Sequence, residues 1–124
     1  MSFKEWYGVD DSLLPRLATG FGGGIARRGS VCGAVIGSVM IIGMRFGRTA
    51  QGDKEAASKT YEKIGRFMDR FEKEFGSSQC YTLTGCHFDS PAESKKWKAS
   101  GGPEKCSDIV EKSARILYEI VEKE

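Results

Sequence analysis

The sequence predicts an all-α fold, a compact bundle of about four helices over residues 31–46, 54–75, 78–84 and 103–122. Three observations predict it. No stretch alternates apolar and polar residues with the period of two that a half-buried strand needs. Residues 54–75 carry an apolar stripe at spacings of three and four, bounded by Asp53 and Gly76, and residues 103–122 repeat that spacing behind Pro103.

Pro15 limits the first segment, SLLPRLATG, to one or two helical turns. The first long helix follows from about Val31 to Phe46, with Ser30 as the expected N-cap and Cys32, Val35, Val39 or Met40, Gly43 and Phe46 on one face. Gly33 and Gly37 would each cost about 1 kcal/mol against alanine inside a helix. With Ala34 they predict a face where another helix crosses closely.

The second long helix is the most strongly patterned. Ala57, Tyr61, Ile64, Phe67, Met68, Phe71 and Phe75 share a stripe, and Glu55/Lys59, Glu62/Arg66 and Asp69/Lys73 are favourable pairs four residues apart. Gly76 stands where a left-handed terminal residue is wanted. Ser77 or Ser78 can cap a short piece over QCYTLT, which Gly85 stops. Residues 86–102 show no clear periodicity and read as a loop, and Pro103 opens the last helix with Cys106, Ile109, Val110, Ser113, Ile116, Leu117, Ile120 and Val121 inward.

The length of 124 residues suits one domain, residues 1–124, with a single core. Nineteen basic residues against 17 acidic ones, interspersed along the second half, give no basic stripe for phosphate neutralisation, which argues against a nucleic-acid partner. MSFKEWYGVDDS lacks the apolar core of a secretory signal, and the uncharged run from Gly29 to Met44 falls short of the roughly 20 residues of a membrane span. No transmembrane segment is expected, and a cytoplasmic protein follows. In that compartment thiols are kept reduced, so four cysteines point to redox or metal chemistry rather than to a disulfide framework.

Residues 20–37, GFGGGIARRGSVCGAVIG, contain seven glycines. A dinucleotide fingerprint fails because Ile25 stands where its third glycine is needed. A phosphate loop fails because no lysine follows Gly29. Two readings remain: an anion site in which Arg27, Arg28 and helix-start N–H groups attract a phosphate or carboxylate, or glycines that simply let the chain turn sharply and pack closely.

Cys32 is expected in the first turn of its helix, Cys80 just after a serine cap, and Cys106 three residues after Pro103. Unpaired N–H groups and the positive end of the dipole at such starts favour a thiolate over a thiol. Spacings of 47, 5 and 19 intervening residues do not suit a local zinc knuckle. Four thiolates from distant segments could hold an iron–sulfur cluster, and two suffice for a dithiol/disulfide couple. His87, the one histidine, could tune Cys86 or ligate a metal, although nothing in HFDSP fixes it and an exposed loop position is the simpler reading.

The glycine-rich loop, CGAVIG over Cys32 to Gly37, FGSSQC over Phe75 to Cys80, GC at Gly85 and Cys86, and the late Cys106 resemble, in that order, the C_GCAxxG_C_C family of redox-active proteins. The resemblance covers about Leu14 to Glu122 and implies a small helical protein whose redox role rests on Cys32, Cys80, Cys86 and Cys106. Many members carry a further cysteine upstream of the glycine-rich loop, and none precedes Cys32 here.

Three functions are consistent with these residues. The leading one is a redox-active protein whose helix starts bring Cys32, Cys80 and Cys106 toward one site, with Cys86 close to Cys80, Cys32 as nucleophile and a redox partner protein or small thiol as its counterpart. The second is an iron–sulfur or other metal carrier with the same four cysteines as ligands. The third is a non-catalytic interaction module, a homodimer through the Gly33 and Gly37 face. Neither a substrate nor a cofactor can be named from the residues.

Overall fold

The computed structural model describes residues 12–123 and is all-α, as the periodicities predict. The helices are α1 Leu13–Ala18, α2 Gly33–Phe46, α3 Lys54–Phe75, α4 Cys80–Thr84, α5 Pro91–Ala99 and α6 Gly102–Tyr118, the last continuing as a π-helical turn over Glu119–Lys123. The leaderless N-terminus read from the sequence lies outside the described residues. An isolated antiparallel bridge joins Val31 to Gln79.

Both predicted ends of α3 form. The Asp53 carboxylate accepts from the Ala56 N–H at 3.0 Å, and Gly76 closes the helix at φ 86°, its N–H donating to the Glu72 carbonyl. Phe67 and Phe71 have no exposed surface, and each such side chain contributes about 1.5–3 kcal/mol on burial. They pack with Val35 and Ile42 of α2 and with Ile109, Ile116, Leu117 and Ile120 in the core shared by the three long helices. Tyr61 departs from its predicted place and is 70% exposed. At that turn Thr60 faces inward instead, its hydroxyl satisfied by the Ala56 carbonyl at 2.8 Å. Of the three expected ion pairs, Glu62–Arg66 closes at 2.6 Å, whereas the Lys59 ammonium lies over the Phe46 ring.

Three local expectations are corrected. Residues 91–99 are helix rather than loop: the Ser90 hydroxyl accepts from Glu93 N–H, and Pro91 takes the first position. This helix buries no residue fully, so it has caps but no apolar stripe. The N-cap of α2 is Cys32 rather than Ser30, because residues 30–32 are drawn out to pair with residues 78–80. Finally, Gly33 and Gly37 make no tight crossing. A Cβ at Gly33 would meet only the Phe21 carbonyl at 3.8 Å, and one at Gly37 would meet nothing within 4 Å.

Between α1 and α2 the glycine-rich run winds left-handed. Five consecutive residues, Gly23 to Arg27, have φ between 51° and 73°. The coil closes on itself through Ala26 N–H to Gly20 O at 2.8 Å, Arg27 N–H to Gly22 O at 2.9 Å and Ser30 N–H to Gly24 O at 2.9 Å. Ile25, Ala26 and Arg27 each spend about 1–2 kcal/mol in that region, a strain the glycines avoid. Gly24 is also pressed against its neighbours: a Cβ there would lie 2.6 Å from the Cys80 Cβ and 2.7 Å from the Ser30 nitrogen.

Two substitutions separate strain from packing. Gly24→Ala is expected to destabilise the fold by about 2–4 kcal/mol, from backbone strain and the contact with Cys80 together. Ala26→Gly, which relieves strain and removes one exposed methyl, is expected to stabilise it by about 0.5–1 kcal/mol. Denaturant midpoints check both, and equal effects of one sign would contradict the left-handed coil.

Candidate functional site

The bridge sets the site. Cys32 N–H donates to the Ser78 carbonyl at 2.8 Å, and Cys80 N–H donates to the Ser30 carbonyl at 2.6 Å, which makes Val31 and Gln79 a pair without mutual hydrogen bonds. Side chains alternate along each strand of such a pair, so Cys32 and Cys80 lie on the same face, opposite Val31 and Gln79. They are diagonal neighbours, for which the Cα separation is about 7–8 Å. Gly24 packs against Cys80 from the coil side.

That face lines a cavity of about 1090 Å³. The coil forms one wall through Gly22, Gly24 and Arg27, and α2 forms another through Gly33, Ala34, Gly37 and Met40. The small residues expected to admit a neighbouring helix instead leave space. Leu83 and Ile109 line the apolar interior, with Phe88 and Trp97, which meet edge to face at 4.8 Å. The Trp97 ring is seated directly on the Gly102 backbone.

Cys106 lines the same cavity as Cys32 and Cys80. Cys32 and Cys106 are half-buried, and Cys80 is 8% exposed. The fourth cysteine is set apart: Cys86 is buried outside the cavity lining, its N–H donating to the Thr84 hydroxyl at 3.2 Å. All four are free thiols. The three cavity cysteines sense one another. Burial pushes the Cys80 thiol up, the charges of Cys32 and Cys106 push it further, Thr84 hydrogen bonding opposes them, and Cys86 adds least. Burial likewise raises Cys106, followed by the charge of Cys32, with Lys105 acting downward. Cys86 is raised by burial, then by Glu93 and Asp89.

Helix starts predict the opposite direction for Cys80 and Cys106, and burial outweighs them for a geometric reason. Helix α4 has only five residues, and Cys106 is the fifth residue of α6, beyond the first turn in which the dipole acts. His87 is exposed, as read, yet anchored. Its Nδ1 lies 3.2 Å from the Glu93 carboxylate and its ring stacks on Tyr81 at 4.1 Å. The anchor escaped the sequence reading because Glu93 belongs to the helix read as loop. Trp97 and Lys98 were missed for the same reason, although Ser90, Pro91 and Glu93 spell a helix start, and Phe88 lies in the turn just before it.

Among the described residues no three His, Cys, Asp or Glu side chains converge closely enough to hold a metal ion. No described helix is long and apolar enough to cross a membrane. The family model described as "Putative redox-active protein (C_GCAxxG_C_C)" matches residues 1–120. The chain belongs to this family. The C_GCAxxG_C_C description names a redox role and no substrate. No curated protein and no solved structure matches the chain.

A thiol alkylates through its thiolate, so a raised thiol reacts only at higher pH, and removing a neighbouring negative charge moves its reaction to lower pH. Cys32→Ser is therefore expected to lower the alkylation midpoints of Cys80 and Cys106 and to leave that of Cys86 in place, as read by peptide mass mapping across pH. Midpoints of Cys80 and Cys106 that stay fixed would contradict the shared site.

Proposed function

We propose that this C_GCAxxG_C_C protein works by thiol–disulfide exchange, with Cys32 as the attacking thiol, Cys80 as the resolving thiol and Cys106 as a third thiol of the same site. The observation that carries this reading is the pairing of residues 30–32 with residues 78–80, which presents two cysteines on one face at the wall of a cavity. A separation of about 7–8 Å lies just beyond the roughly 4.4–6.8 Å that a disulfide spans, so closure needs only a small shift of an isolated bridge.

The chemistry balances without another reagent. The Cys32 thiolate attacks one sulfur of a substrate disulfide, forming a mixed disulfide and expelling the first substrate thiolate. Cys80 then loses its proton and attacks the Cys32 sulfur, releasing the second thiolate and forming the Cys32–Cys80 bond. Two electrons pass from the dithiol to the substrate, and the two protons of the dithiol end on the released thiols. Charge coupling orders the steps. A Cys32 thiolate keeps Cys80 protonated, and once Cys32 is a neutral mixed disulfide that part of the shift disappears and Cys80 ionises more readily. A small thiol or a partner protein in the cytoplasm would regenerate the dithiol.

Reduced protein treated with a small disulfide is expected to yield the Cys32–Cys80 bond as the main product in non-reducing peptide maps. Cys80→Ser should accumulate the mixed disulfide on Cys32, and Cys32→Ser should lose at least tenfold in oxidation rate. Oxidation that begins at Cys86, or that proceeds unchanged in Cys32→Ser, would overturn the assignment.

A further inference from the structure

The cavity has a charge that the rest of the chain does not share. Arg27 from the coil and Lys95 and Lys98 from α5 line it, against the single carboxylate of Asp89. The whole chain is nearly balanced, at a net charge of +2, and several cations outside the cavity are paired within their helices, as in Arg66–Glu62, Lys112–Asp108 and Arg115–Glu111. Arg27, Lys95 and Lys98 have no carboxylate partner among the described residues. Arg27 is also held in place: its N–H donates to Gly22 O at 2.9 Å, and its φ of 65° fixes it in the strained part of the coil. Unpaired cations around a low-dielectric pocket raise the local concentration of anions.

Size and depth narrow the ligand. A volume of about 1090 Å³ lies just above the upper end of the range usual for small-molecule clefts, about 300–1,000 Å³. The attacking thiol, Cys32, is half-buried in the cavity wall, which favours a small disulfide that enters the cavity over one fixed on a broad protein surface. The interior offers Met40, Leu83, Phe88, Trp97 and Ile109 to an aliphatic or aromatic body.

We infer that the cavity selects low-molecular-weight disulfides carrying carboxylates, whose anionic ends meet Arg27, Lys95 and Lys98 while the S–S bond reaches Cys32. This rests on the thiol–disulfide reading and specifies its substrate class. The reaction is the exchange described above, with the acidic disulfide as oxidant and two acidic thiols as products.

Three small disulfides of different charge test it: dithiodipropionate (anionic), hydroxyethyl disulfide (neutral) and cystamine (cationic). The rate at which each consumes reduced Cys32 is followed by alkylation and mass mapping. Leaving-thiol acidity differs among the three, so the readout is each rate relative to the neutral disulfide, compared between wild type and variants. Arg27→Gln and Lys98→Gln are each expected to lower the anionic-to-neutral ratio by about two- to five-fold and to raise the cationic-to-neutral ratio. Arg48→Gln, outside the cavity, should move neither. Lys98 sits exposed on a helix surface, so its variant keeps the test valid if Arg27→Gln disturbs the coil. Added salt should shrink the anionic preference of wild type. Ratios that ignore Arg27→Gln and Lys98→Gln, or that respond equally to Arg48→Gln, overturn the substrate class and leave the redox reading standing. Reaction with none of the three overturns both.

Discussion

Everything at the site depends on one short antiparallel pairing, residues 30–32 against residues 78–80. In an otherwise helical chain it draws Cys32 out of α2 into its cap position and sets Cys80 at the start of α4. Two hydrogen bonds and the alternation of a strand then place both sulfurs on one face, although 47 residues separate them in sequence. The left-handed coil holds the pairing from behind. Gly24 accepts from Ser30 and packs on Cys80, so the strain at Ile25, Ala26 and Arg27 has a structural return in the position of a thiol.

Electrostatics follows from that placement. Thiols brought into one cavity cannot ionise independently, because each negative charge makes the next less favourable. Burial keeps Cys80 and Cys106 protonated, and the charge of Cys32 reinforces it. Removing the charge of Cys32 therefore eases ionisation of Cys80 and of Cys106. Cys86 is raised by burial and then by Glu93 and Asp89, and it makes the smallest of the contributions that raise Cys80.

The three long helices were legible because their buried faces repeat at helical spacing and their ends are marked, by Asp53 and Gly76 above all. Helix α5 was not, since it buries nothing completely and its evidence lies only in the caps Ser90, Pro91 and Glu93. Convergence of Cys32, Cys80 and Cys106 was expected from their helix starts, but the means was not legible, because a bridge between two three-residue segments leaves no periodic trace. The small residues Gly33 and Gly37 were read as a contact face. Space at a glycine looks the same in sequence whether a helix or a ligand fills it, and here it opens into the cavity.

The central claim is that Cys32 and Cys80 are neighbours in the native fold. A trivalent arsenical such as phenylarsine oxide, which is captured tightly only by two thiols that can bond one arsenic together, measures this without any substrate. The account predicts capture of one arsenical per native chain, lost in Cys32→Ser and in Cys80→Ser and retained in Cys86→Ser. Capture that survives in Cys32→Ser, or none in the reduced wild-type protein, would contradict it.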